Sequence, residues 1–130
     1  MSVAYLDSSF LLAILFGEPR SGTLSRTLAR SDRIFSADLL VAECLSAAGR
    51  EGVDLAAVRA ALQAVSLVLP PRSLEPEIIE ASAHGYLRGA DLWHVACALF
   101  LAGDDRNDVA FLSRDEVQRR LAGRLGFSIP

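Results

Sequence analysis

Four short apolar runs punctuate the chain: "VAYL" at 3–6, "RIF" at 33–35, "SLVLP" at 66–70 and "VAFLS" at 109–113, each bounded by polar, Pro or Gly residues. Runs this short and this apolar suit strands covered on both faces. Longer segments with helical spacing lie between them. Strands joined through helices must cross over the sheet, and crossovers leave neighbouring strands parallel. The pattern predicts an α/β fold: a mainly parallel central sheet with helices on both faces. The clearest helix is "DLAAVRAALQAV" at 54–65, where Leu55, Val58, Leu62 and Val65 form one stripe and Asp54 stands at the N-cap position. Helices are also predicted over 9–16, 21–30, 38–50, 75–87, 91–103 and 115–122. At 130 residues and 52% hydrophobic the chain has enough for one sizeable core and too little for two, so residues 1–130 read as a single domain.

Several function classes drop out. The longest apolar runs, "FLLAILF" at 10–16 and "VACALFLA" at 95–102, fall short of the ~20 residues of a membrane span. No basic stretch opens the chain and Asp7 interrupts its first apolar run, so a cytoplasmic protein without a secretory signal is expected. Cys44 and Cys97 are too few for a disulfide framework, which agrees with a reducing compartment. His94 and Cys97 have half the spacing of a zinc pair, but Cys44 and His84 are dispersed and supply no second half. There is no G-K-[ST] and therefore no P-loop. All 13 basic residues are arginine, and the missing lysine argues against a phospho-receiver domain. An aspartate-nucleophile phosphatase usually carries a second aspartate two positions on, where Ser9 stands.

In parallel sheets ligands bind beyond the carboxyl ends of the strands. Asp7 follows the first strand there, and Asp115 follows the last after only Ser113 and Arg114. Glu43 falls in the apolar stripe of Leu40, Cys44 and Ala47, where a carboxylate needs a partner. Asp91 begins a helix apolar almost all round. Each acid also has a plainer reading. Asp7 and Asp91 could cap the helices they precede, Ser113 and Glu116 have the spacing of a capping box, and Asp115 would suit a helix dipole. Glu43, inside a helix, has no cap to satisfy. Four carboxylates together would repel, and a divalent cation with hard oxygen ligands, Mg²⁺ or Mn²⁺, removes that conflict. The chemistry implied is phosphodiester hydrolysis by activated water. The formal charge of −3, less the four acids, is −3 + 4 = +1 for the remaining scaffold, which permits RNA without requiring it.

The segments "YLDSS", "VAE", "LRGADLWHVACA" and "FLSRD", in this order, resemble the four acidic motifs of PIN domains. The length and the D-x-x-H-x-A-x-A pattern are similar to VapC-like ribonuclease toxins of toxin–antitoxin pairs. The resemblance implies a Mg²⁺- or Mn²⁺-dependent endoribonuclease with Asp7, Glu43, Asp91 and Asp115 as both metal ligands and catalytic cluster. It also implies strand order 3-2-1-4-5, homodimers, and a cognate antitoxin whose tail fills the active-site groove. Ser113 stands where the family usually has threonine, and the hydroxyl is expected to keep its role of orienting a carboxylate or water. Ser8 or Ser9 matches the small hydroxylic residue after the first acid.

His94, three residues after Asp91 on one helical face, is expected to support that carboxylate or the core. Arg88 and Arg114 lie close enough to the acids to touch RNA phosphates. Glu18, Glu77, Glu80, Asp104, Asp105 and Asp108 are expected to face solvent, and Trp93 to pack. Two other functions remain open on the sequence: an RNA-processing nuclease without an antitoxin, and a PIN-like binding module without catalysis.

Overall fold

The computed structural model describes residues 1–130. Its four strands are β1 (Val3–Leu6), β2 (Arg33–Ala37), β3 (Ser66–Val68) and β4 (Val109–Leu112). They pair in the order β3-β2-β1-β4, every pair parallel. Strand alternation sends Val3, Tyr5, Phe35, Ala37, Val109 and Phe111 to one core, and Ala4, Leu6, Ile34, Ala110 and Leu112 to the other. The apolar runs are continuous because both sides of each strand are covered.

On the second side lie α1 (Ser8–Leu15), α2 (Ser21–Ala29), α3 (Leu39–Glu51) and α4 (Leu55–Gln63). On the first lie α5 (Glu75–Ser82), α6 (Gly89–Ala102) and α7 (Glu116–Arg124). In α6 every residue from His94 to Leu99 is buried, as its unbroken apolarity requires. Asp54 caps α4 by accepting from the Ala56 N–H, but Leu55 of the expected stripe is 57% exposed and Val58 is the helix's buried anchor.

The fifth strand of the expected order 3-2-1-4-5 is reduced to one parallel bridge. Ser128 lies beside Ala110, its N–H donating to the Val109 carbonyl and its carbonyl accepting from the Phe111 N–H. Gly126 turns the chain into this position with φ 105°, and Pro130 has no N–H to extend a ladder. β3 is short for the same reason, since Pro70 and Pro71 follow it closely.

Two helix boundaries depart from expectation and matter for the site. α5 stops at Ser82 rather than 87, where His84 Nδ1 lies 3.0 Å from the Glu80 carbonyl and Gly85 adopts φ 150°. α6 begins at Gly89, so Asp91 lies inside its first turn and is not its cap. Glu77 and Glu80, expected to stand free in solvent, are paired with Arg72 and Arg106 at 2.6 Å each, and both carboxyls are held below the usual range chiefly by those guanidiniums.

Candidate active site

β1 and β4 end side by side, the Asp7 N–H donating to the Leu112 carbonyl at 2.9 Å. This last ladder bond delivers Asp7 and Ser113 to one point on the sheet edge. Asp7 is only 2% exposed. One carboxylate oxygen accepts from the Ser9 N–H at 3.1 Å and from the Ser9 hydroxyl, and so caps α1. The other accepts from Gln118 Nε2 at 3.4 Å. The Ser9 hydroxyl in turn accepts the Arg114 N–H at 2.9 Å. All these donors are neutral, and no arginine reaches Asp7. A buried carboxylate satisfied by dipoles but lacking a counter-charge is an expensive arrangement in a fold of this size.

The second element of the site reaches in from α3. Glu43, with a side chain 25% exposed, lies 2.6 Å from His94 Nε2, and the same nitrogen lies 3.9 Å from Asp7 Oδ1. His94 Nδ1 is 2.8 Å from the Tyr5 hydroxyl, which also accepts the Ala37 N–H at 3.0 Å. A phenol accepting from a backbone amide has its own proton left for Nδ1, so the imidazole carries its proton on Nε2 and donates to Glu43. His94 therefore supports Glu43, not Asp91 as its helical spacing suggested. Burial pushes the Tyr5 phenol well above its ordinary value, which keeps that donor protonated.

Asp91 enters from the first turn of α6, with Arg88 3.4 Å away and mostly in solvent. Its carboxyl is raised from the ordinary value first by burial, then by the charge of Asp7, against Arg88, with Asp115 adding further. Asp7, Asp91 and Asp115 thus feel one another. Glu43 and Asp7 likewise act together on Cys44, whose thiol is pushed up to about 12 chiefly by burial. Asp115 caps α7 by accepting from the Gln118 N–H at 2.9 Å. The expected Ser113–Glu116 capping box does not form. Instead the Ser113 hydroxyl accepts from the Asp115 N–H at 3.0 Å and faces Gln118 Oε1 at 2.7 Å and Asp7 Oδ2 at 3.3 Å.

The other three acids named from the sequence are tied to Asp7 through intermediates: Glu43 through His94, Asp115 through Ser113, and Asp91 by charge and through Gln118, which reaches its carbonyl. Of the flanking residues, Ser113 and His94 touch them, whereas Ser9 rather than Ser8 meets Asp7. Arg88 is occupied with Asp91, and the Arg114 side chain is unpaired. Gln118 is missing from the sequence-based set. It is fully buried and ties Asp7, Ser113 and the Asp91 carbonyl together, the last at 3.2 Å. Its signal was a polar residue on the apolar stripe of α7 with Leu121 and Leu125, the same signal that singles out Glu43 on α3.

This constellation at the carboxyl ends of parallel strands falls within a family match: the PIN domain profile covers residues 4–124. The chain belongs to the PIN domain family. No curated protein matches the chain closely enough to count as a relative. PIN domains are generally metal-dependent nucleases acting on nucleic acid. In this PIN domain no three His, Cys, Asp or Glu side chains form a ready-made ligand cluster. The donors nevertheless fit a hard cation in kind. They are carboxylate oxygens, and Mg²⁺ commonly takes one or two carboxylates and completes its shell with water and phosphate. No helix of the PIN domain is long and apolar enough to cross a membrane.

Proposed function

We propose that the chain is an endoribonuclease that cleaves RNA by water activated at Asp7, Glu43, Asp91 and Asp115, and the toxin of a toxin–antitoxin pair. The observation that carries the nuclease reading is Asp7: a buried carboxylate with only neutral donors, facing further acids that raise Asp91. A site that concentrates uncompensated negative charge at a sheet edge is built to receive cations. Asp7, Glu43, Asp91 and Asp115 would hold Mg²⁺ or Mn²⁺. Bound there, the cation supplies a lowered pKa for water and offsets charge on the phosphodiester.

The chain's own residues supply position. Ser9 and Gln118 hold the Asp7 carboxylate from two sides, so its oxygens keep one orientation. His94, itself set by Tyr5, holds Glu43 with one oxygen engaged and the other free to take a proton from water. Ser113 holds the turn that presents Asp115.

Asp7→Asn keeps the cap acceptor of α1 and removes the charge. It is expected to keep the fold and to lose RNA cleavage by about a hundredfold or more, read with purified protein and mapped RNA 5′ ends. Cleavage by Asp7→Asn at the wild-type rate would overturn the site assignment. The toxin role and the homodimer rest on the sequence resemblance alone. Co-purification of a small partner from the native operon supports the toxin reading, and an operon product of this chain alone counts against it.

A further inference from the structure

A cavity of about 330 Å³ opens beside the acids, between the start of α2 and the turn from β4 to α7. Arg20, Arg114, Arg119, Thr23, Thr27 and Ser113 line it. Ser113 belongs to both places, since its hydroxyl is 3.3 Å from Asp7. One acid, Glu116, also lines the cavity, so three guanidiniums against one carboxylate leave 3 − 1 = +2.

The three arginines are not equally engaged. Arg119 donates to the carbonyls of Ser113 and Pro130 at 3.4 and 3.1 Å and lies 3.6 Å from Glu116. The guanidiniums of Arg20 and Arg114 make no hydrogen bond or ion pair, whereas Arg72, Arg88 and Arg106 each face a carboxylate. Arg20 is also the one residue other than glycine with positive φ, at 73°. A side chain in the left-handed region is disfavoured, and such strain concentrates where a group must be aimed. The hydroxyls of Thr23, Thr27 and Ser113 already have protein partners, so the two unengaged guanidiniums of Arg20 and Arg114 are the groups that match a phosphate, whose oxygens accept in the planar geometry a guanidinium offers.

We propose that this cavity seats a phosphate of the RNA strand next to the scissile one, held by Arg20 and Arg114 with Arg119 fixing the turn beneath. The proposal rests on the ribonuclease reading for its ligand. With the acids at one end and the arginines at the other, the strand is anchored by charge where it leaves the cleavage point.

The test separates binding from cleavage. In EDTA, affinity for a short fluorescent single-stranded RNA is measured by anisotropy across a salt series for the wild type, Arg20→Gln, Arg114→Gln, the double variant and Arg59→Gln. Arg59 lies on the exposed face of α4 and serves as the reference. Each cavity variant is expected to bind on the order of fivefold more weakly and to lower the slope of log affinity against log salt by about 0.7. Arg59→Gln should match the wild type. A double variant that melts like the wild type and binds RNA with unchanged affinity and slope would overturn the proposal. Cleavage with divalent metal is followed in parallel. Intact cleavage with arginine-independent binding removes the cavity and leaves the nuclease, and arginine-dependent binding without cleavage in any variant does the reverse.

Discussion

Asp91 carries its charge against the interests of the fold. Burial and the charges of Asp7 and Asp115 raise its carboxyl above the ordinary 3.8, outweighing Arg88. The folded chain therefore binds that proton more tightly than the unfolded one. The stabilisation is complete below the ordinary value and is lost as pH rises through the raised one, so at neutral pH the ionised group opposes folding. In metal-free buffer Asp91→Asn should raise the melting temperature at neutral pH by a few degrees, and the gain should vanish on acidification below about pH 4. A gain that persists at acid pH would place its origin elsewhere. Tyr5→Phe tests the opposite kind of residue. Removing its hydroxyl orphans the Ala37 N–H and His94 Nδ1, both buried, and should destabilise by about 1–3 kcal/mol in urea unfolding. It should also slow cleavage, by loosening Glu43. Glu43 stands out in the sequence because it breaks an apolar stripe, and Asp7, Asp91 and Asp115 because they follow strands or open a helix. Tyr5, which sits in a strand like any aromatic, does not, because its partners come from residues 32 and 89 positions away.

At the scale of elements, helix starts and the acids proposed as catalytic coincide. Asp7 and Asp115 each cap the helix that follows while facing the site, so one side chain sets both a backbone end and a charge. The two roles separate by substitution. Asp115→Asn retains an N-cap acceptor and should leave stability within a few tenths of a kcal/mol while losing cleavage. Asp115→Ala should lose cleavage and about 1 kcal/mol of stability as well, measured by denaturant titration. Equal stability of the two variants would show that the cap contributes nothing. α6 illustrates a boundary that spacing misjudged. Its start at Gly89 rather than 91 turns Asp91 from a cap into a side chain of the first turn, where the positive end of the helix dipole favours a carboxylate. Helix α5 shows the other limit, because the turn at His84 and Gly85 depends on one side-chain contact and one positive φ.

For the molecule as a whole, the sheet is a partition between two cores and a shelf for the acids. Phe111 stacks on Tyr5 at 5.6 Å and meets Phe127 at 5.8 Å, linking β1, β4 and the bridge that stands for a fifth strand. Phe111→Ala should destabilise the fold by about 3–5 kcal/mol in urea unfolding, and a loss below about 1 kcal/mol would mean the cavity collapses freely. Strand and helix types and the parallel sheet were legible in the sequence. Local apolar periodicity encodes burial on one or two faces, and a carboxylate that breaks it declares a need for a partner. Only the tertiary structure decided which partner each acid received: His94 for Glu43, Gln118 and Ser9 for Asp7, Arg88 for Asp91. Those contacts depend on crossovers that bring distant turns to one sheet edge. Spacing along a chain carries no record of which side chain will face which across such an edge, and the closing of the fifth strand to a single bridge was decided the same way.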